Sequence, residues 1–440
     1  MKTIHYLYTA PNTSFQMDDH DALSASVMGN PVSLSTDEAP IVHYIMRNPG
    51  ASLDEVFLYI LALTHRMPDM GELRSQVGCL CEEGILEIKE EPLRSHIPYR
   101  LEHTCEMCGC SCMAQLVGPL SSQELDNLMD AHRPLHDTGT VAKNVNPIMK
   151  GMRPDGTCMH FVHFPEKRCL FLGSDNLCTV HGQFGAMKKP AACRLFPHFA
   201  VETESELRIG IKPYCYANMR TCDDTLPPPN YAAEYRANNK EFYDELITSA
   251  TKRPILYRAT PEEAALARLQ EAAMLDLLYD ETTTLPHILR TAADVPLNTP
   301  SAPLPQRFFK TLHKIFLNFA PKLRAEAQKL GTTLHADRAC ALCACLENPL
   351  TLPPEKVDPK TLNFIRRALF NAVFLRETMR FPAFHPGVFA LALGAIAAIQ
   401  DPQHTDTHFT AWMRLFAQTQ AFMLLFDSPM ALSELTHALE

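Results

Sequence analysis

Eight residues, CEMCGCSC from Cys105 to Cys112, constrain this chain more than any other stretch, because four of them are thiols. A C-x2-C turn lets Cys105 and Cys108 bind one centre, and Gly109 lets the chain turn without a Cβ clash. Cys110 and Cys112 bring two more sulfurs within reach. Thiolates are soft ligands suited to zinc and to iron–sulfur clusters, and packing alone is a poor explanation for so dense a run. A second set follows in CLFLGSDNLCTVHGQFGAMKKPAACRLFPH, where Cys169, Cys178 and Cys193 stand at C-x8-C-x14-C. CLFL reads as a strand that leads into a Gly-Ser-Asp-Asn turn, and that turn with two prolines, Pro190 and Pro197, gives the tight backbone turns whose N–H groups can point at sulfur.

The chain has 440 residues, fifteen of them cysteine, and ten of these lie between Cys105 and Cys222. No secretion signal is read in MKTIHYLYTAPNTSFQ, and PGVFALALGAIAAIQ is too short to span a bilayer. The expected location is therefore the cytoplasm, where clustered cysteines bind metal more often than they pair as disulfides. A net charge of −10 argues against nucleic-acid or anionic-membrane partners.

The cysteines divide the chain into three expected units, 1–98, 99–225 and 226–440. In the first, FQMDDHDALSASVMGNPVSLS reads as short strands with a G-N-P turn. Thr36 is the expected N-cap of a first helix, and Ser52 with Glu55 reads as a capping box for a second. GELRSQVGCLCEEG reads as a third helix, and ILEIKEE as a closing strand. The order resembles the PqqD-like winged-helix domains over residues 14–91, which implies peptide docking by strand addition. Reading DNA would call for a basic third helix, whereas this one has Arg74 against three glutamates. Cys79 and Cys81 are expected to be small core residues.

In the middle unit, CLFL…LCTV…AACRLFP resembles the YkgJ-like family of zinc- or iron-chelating cysteine-cluster proteins. The long gap with GAMKKPAAC is most similar to the flagellin lysine N-methylases within that superfamily. Carried over residue by residue, the resemblance implies ligands at Cys105, Cys108, Cys112, Cys169, Cys178, Cys193 and Cys215. The family usually closes its first run with adjacent cysteines; C-G-C-S-C here leaves Cys110 and Cys112 as alternatives. Cys158, Cys222 and His181 are weighed evenly between ligand and bystander. The implied cofactor is an iron–sulfur cluster, with zinc as the alternative. The implied reaction is methyl transfer from S-adenosylmethionine to a protein lysine, with a protein or peptide as partner.

The last unit repeats apolar residues at three- and four-residue steps and reads as helical. Within it, Cys340, Cys343 and Cys345 of RACALCACLENP read as small residues at a helix crossing. No G-x-G-x-x-G, P-loop or C-x3-C-x2-C is present, so no Rossmann or radical-barrel methyltransferase is read here. The expected fold class is α+β: a winged-helix-like module, a Cys-rich domain with short strands and a mostly α-helical C-terminal domain.

Overall fold

The computed structural model describes residues 3–17, 23–114, 117–142, 144–152, 156–165, 168–217, 226–295, 302–329, 334–350, 358–381, 383–418 and 429–439. It is mixed α/β, with several small sheets followed by a helical C-terminal region.

The chain opens with β1 (Thr3–Thr9), β2 (Thr13–Met17), β3 (Leu23–Val27) and β4 (Asn30–Val32). The β3–β4 hairpin turns on Met28 and Gly29, both with positive φ, because a two-residue turn of that hand matches the strand twist. Next come α1 (Glu38–Arg47), β5 (Ala51–Ser52), α2 (Leu53–Thr64), α3 (Met70–Glu82), β6 (Leu86–Pro92) and β7 (Ser95–His96). Thr36 does not cap α1. Asp37 holds the N-cap position without a side-chain bond, and Ser35 exchanges hydrogen bonds with Glu38 instead. That pair lies three residues apart, so each side chain reaches the other's free N–H. Ser52 and Glu55 do form the capping box. β1 lies between β5 and β6, antiparallel to both. Leu7, Ile41, Val42, Ile45, Val56, Leu73, Val77 and Leu80 close this unit's core. Cys81 packs against it, but Cys79 is exposed, since the buried stripe of α3 is Leu73, Val77 and Leu80.

The middle segment holds α4 (Cys110–Ala114), α5 (Ser122–Asp137), β8 (Ile148–Met152), β9 (Cys158–Val162), α6 (Thr179–Phe184), α7 (Ala191–Leu195), β10 (His198–Glu202) and β11 (Leu207–Ile211). After it come α8 (Tyr231–Asn238), α9 (Lys240–Thr248) and β12 (Thr251–Lys252). One sheet runs β12-β10-β11-β7, so β7 and β12 bring chain from either side of the middle segment onto its central strands.

The remainder is helical: α10 (Pro261–Tyr279), α11 (Leu285–Ala292), α12 (Gln306–Gln328), α13 (Leu334–Glu347), α14 (Pro359–Phe374), α15 (Phe384–Ala398), α16 (Thr405–Gln418) and α17 (Pro429–Leu439). Thr260 and Glu263 box the start of α10, with Pro261 in the first turn where its missing N–H costs nothing. Thirteen of the 15 residues of α15 are buried, which makes it the central helix of this region. Among the described residues, no helix is long and apolar enough to cross a membrane. Gly394 on α15 lies directly under the Trp412 indole, whose Nε1 donates to Ala390 O at 3.1 Å. A Cβ at this position has nowhere to go while that ring is pinned. Gly394→Ala is therefore expected to cost about 1–3 kcal/mol despite alanine's better helix propensity, read as a lower urea midpoint.

A buried ionic network ties the sheet to the helices. Glu271 of α10 takes Arg208 of β11 at 2.8 Å and Arg376, just after α14, at 3.1 Å. Arg376 also reaches Glu204 at 2.8 Å, and Arg208 reaches Glu206 at 2.7 Å. Burial alone raises the Glu206 carboxyl, but the His96 hydrogen bond and the Arg208 charge outweigh it and hold it at about 2. A carboxylate depressed in the fold contributes stability above its unfolded value, and that contribution is lost as pH falls from about 4.5 towards 2. The urea midpoint should drop across that window, and Glu206→Gln should flatten the drop.

Candidate metal centre

The run that opens the site is bent before it is helical. Met107 and Gly109 both have positive φ, which folds Cys105 and Cys108 into one short coil ahead of Cys110, the first residue of α4. Met107 N donates to Cys105 Sγ at 3.4 Å, a backbone N–H aimed at sulfur. The second set is stitched to the first by Cys169 N donating to Cys112 O at 2.8 Å. CLFL was expected to be a strand, yet only one bridge forms, Leu172 with Cys178, because the chain turns back at once. Gly173 N bonds Leu177 O at 2.8 Å, and Asn176 takes positive φ, so Cys169 and Cys178 return to the same end of the loop. Cys193 enters from α7, which is anchored by Ala191 N donating to Glu124 on α5 at 2.7 Å.

Cys112, Cys169, Cys178 and Cys193 are electrostatic neighbours of one another. Burial pushes Cys112 up to about 11, with Cys178 the next largest influence. Burial likewise pushes Cys193 to about 12; Lys189 opposes it, and Cys112 and Cys178 add to it. Cys169 is raised by burial and then further by Cys193, Cys112 and Cys178. Cys112, Cys169 and Cys193 held this way resist ionisation unless a cation joins them, and Lys189 is a positive side chain that acts on Cys112 and Cys193. The donor set fits a thiolate-bound metal or cluster. No three of the four sulfurs lie within 4.8 Å of one another, a spacing met among the described residues by Cys345, Asp401 and His408.

The other expected ligands sit around this set. Cys105 and Cys108 both act on Cys112. Cys110 is fully buried and donates to Cys108, which lowers the Cys108 thiol and raises that of Cys110. Arg338 of α13 approaches Cys110 Sγ at 4.0 Å, and Arg414 of α16 donates to Cys110 O at 3.2 Å. Arg338 also covers the Tyr216 ring at 4.2 Å, and Cys215 lies buried between Tyr214 and Tyr216. Cys158 is exposed at the end of β9, and His181 is exposed on α6. Cys222 lies outside the described residues. Cys343 is buried in the helical core with Cys340 packed against it.

A cleft of about 580 Å³ borders the run, since its wall Arg100–Thr104 leads straight into Cys105. Tyr231, Tyr235 and Phe242 line it, with carboxylates from Glu102 and Glu234. Tyr231 Oη accepts from Leu101 N at 2.7 Å and donates to Glu102 at 2.9 Å. Burial and then Glu102 push Tyr235 up to about 12, so its ring stays a neutral phenol. His103 is held down at about 4 by burial and by His198. Arg338, Arg414 and this cleft were not read from the sequence. The arginines lie over two hundred positions beyond Cys110, and nothing in their own helical periodicity marks them.

Compared with family models, with characterised proteins and with solved structures, the chain matches none.

Proposed function

We propose that this chain is an iron–sulfur protein of the YkgJ-like type that transfers a methyl group from S-adenosylmethionine to a protein lysine. The observation that carries the reading is the meeting of Cys112, Cys169, Cys178 and Cys193, which come from both cysteine sets named by the resemblance. Four thiolates around one zinc at 2.3 Å bonds stand about 3.8 Å apart. The wider spacing here favours a multi-iron cluster as the occupant. Between the two candidates at the first run, Cys112 is supported as the ligand because it neighbours Cys169, Cys178 and Cys193. Cys110 is turned into the core beneath Arg338.

The adjoining cleft supports catalysis over a purely structural centre. Arg100 lies over the Tyr231 ring at 5.7 Å, and the remaining rings of Tyr235 and Phe242, with Glu102 and Glu234, suit a cationic guest such as a sulfonium or a lysine side chain. In the transfer, the lysine nitrogen gains the methyl carbon, the sulfonium S–CH3 bond breaks, and the amine proton leaves to solvent. The N-terminal unit, in its winged-helix-like reading, docks the protein partner. A groove of about 510 Å³ over β2–β4, lined by Ser24, Ser26, Pro31 and Leu34, is the surface available to it.

A specific feature favours a second reading. Four thiols already make a closed ligand set, as a non-catalytic zinc or iron module has. Anaerobic purification with iron, sulfide and zinc analysis decides between them. Iron with acid-labile sulfide, and methyl transfer from labelled S-adenosylmethionine that Tyr235→Ala lowers at least tenfold with the cluster intact, is the expected result. Zinc without sulfide, and no transfer to any protein tested, overturns it.

A further inference from the structure

The second place where metal-binding side chains converge lies in the helical region, away from the central thiols. Cys345 is on the last turn of α13, His408 is in the first turn of α16, and Asp401 lies in the loop leading into that helix. Their donor atoms all lie within 4.8 Å of one another. Cys345 Sγ is 3.6 Å from His408 Nε2, and Asp401 Oδ2 is 3.3 Å from the same nitrogen. The loop is built to present that carboxylate. Gln403 N donates to Asp401 Oδ1 at 3.2 Å, which leaves Oδ2 to the imidazoles, and His404 Nδ1 meets Oδ2 at 2.9 Å.

The geometry decides between three uses of this trio. In a nucleophilic Cys-His-Asp triad, the thiol and the carboxylate engage opposite ring nitrogens. Here both converge on Nε2, while Nδ1 of His408 is buried with no hydrogen-bond partner. The competing use is a plain hydrogen-bond cluster, in which Nε2–H donates to Asp401 and the Cys345 S–H is a donor of its own; it gives no reason for thiol, carboxylate and imidazole to converge on one point. A cation in the middle satisfies all three. With bonds of about 2.0 Å to nitrogen and oxygen and about 2.3 Å to sulfur, a tetrahedral ion spaces N and S by about 3.5 Å and N and O by about 3.3 Å. The observed 3.6 and 3.3 Å match.

We propose that Cys345, Asp401 and His408 form a second metal site that takes one zinc-like divalent ion through Cys345 Sγ, Asp401 Oδ2 and His408 Nε2. His404, which meets the same carboxylate oxygen, has a side chain 60% exposed. His404 then orients the carboxylate rather than closing the site. The site clamps the end of α13 to the start of α16, the two helices that also bring Arg338 and Arg414 to Cys110.

The test is cobalt(II) titration of the intact full-length protein, read as difference spectra, beside zinc analysis. One cobalt per chain is expected, with tetrahedral visible bands and a thiolate-to-cobalt band in the near ultraviolet. Cys345→Ser should remove the thiolate band, Asp401→Asn should weaken binding at least tenfold, and Cys178→Ser should leave both features in place. Asp401 is partly exposed, so its variant is expected to fold, and an unchanged metal-free melting curve checks this. No thiolate band in the wild-type protein, or a band that survives Cys345→Ser and disappears with Cys178→Ser, overturns the proposal. The latter would place the cobalt on the central thiols.

Discussion

Cys178→Ser and Cys193→Ser, each made alone, are expected to lose at least nine-tenths of the metal bound at the central site and its visible absorption. Each removes one of four neighbouring thiols from a site in which burial raises the thiols of Cys112, Cys169 and Cys193. A serine hydroxyl is a hard, weakly acidic donor and does not replace a thiolate on a soft metal. Cys158→Ser is the matched control, because that thiol is exposed at the end of β9. Cys110→Ser separates the two candidates at the first run. It should keep the metal if Cys112 is the ligand, at some cost in stability from the burial of a smaller and more polar side chain. Metal content and absorption measured on anaerobically purified protein check all four, and unchanged metal in Cys178→Ser would remove the ligand assignment.

The largest effect on folding is expected at Glu271. This carboxylate is 2% exposed and neutralises two guanidiniums, Arg208 and Arg376, that are themselves 8% and 2% exposed. Glu271→Gln keeps the shape and removes the charge, which leaves two buried cations facing each other with only the more exposed Glu206 and Glu204 to neutralise them. Breaking one side of a buried pair in this way costs about 3–5 kcal/mol. Urea unfolding of the variant should show a loss of that order. Replacing Arg208, Glu271 and Arg376 together with methionine should recover most of it, because the cost lies in the uncompensated charge. A loss below about 1 kcal/mol for Glu271→Gln would mean that water reaches the network.

Much of the helical region was legible because its signals are local. The Ser52–Glu55 box and the three- and four-residue apolar repeats of α10, α12 and α16 depend on neighbours within one or two turns. β1 was missed, since TIHYLYT pairs with a strand some eighty residues later and announces no turn of its own. The CLFL strand was over-read for the converse reason. Its apolar pattern suits a ladder, but the loop closes after a single bridge. The Cys345–Asp401–His408 trio left only a faint trace. Asp401, His404 and His408 recur at helical steps, yet Cys345 reaches them only because α13 and α16 pack together.

Residue chemistry and spacing by themselves marked the thiols of 105–112 and 169–193 as candidate ligands, since four sulfurs in eight residues have few other uses. They also located the three helices of the first unit and the long apolar-periodic helices of the last, because caps and periodicity act over short range. Only the tertiary structure decided that Cys112 joins Cys169, Cys178 and Cys193 while Cys110 turns under Arg338. It also placed a cleft of aromatic rings and carboxylates beside that run, and bound the sheet to the helices through Glu271. Each of these rests on contacts between residues tens to hundreds of positions apart. The energy of such contacts comes from burial and charge pairing that exist only once the chain is folded.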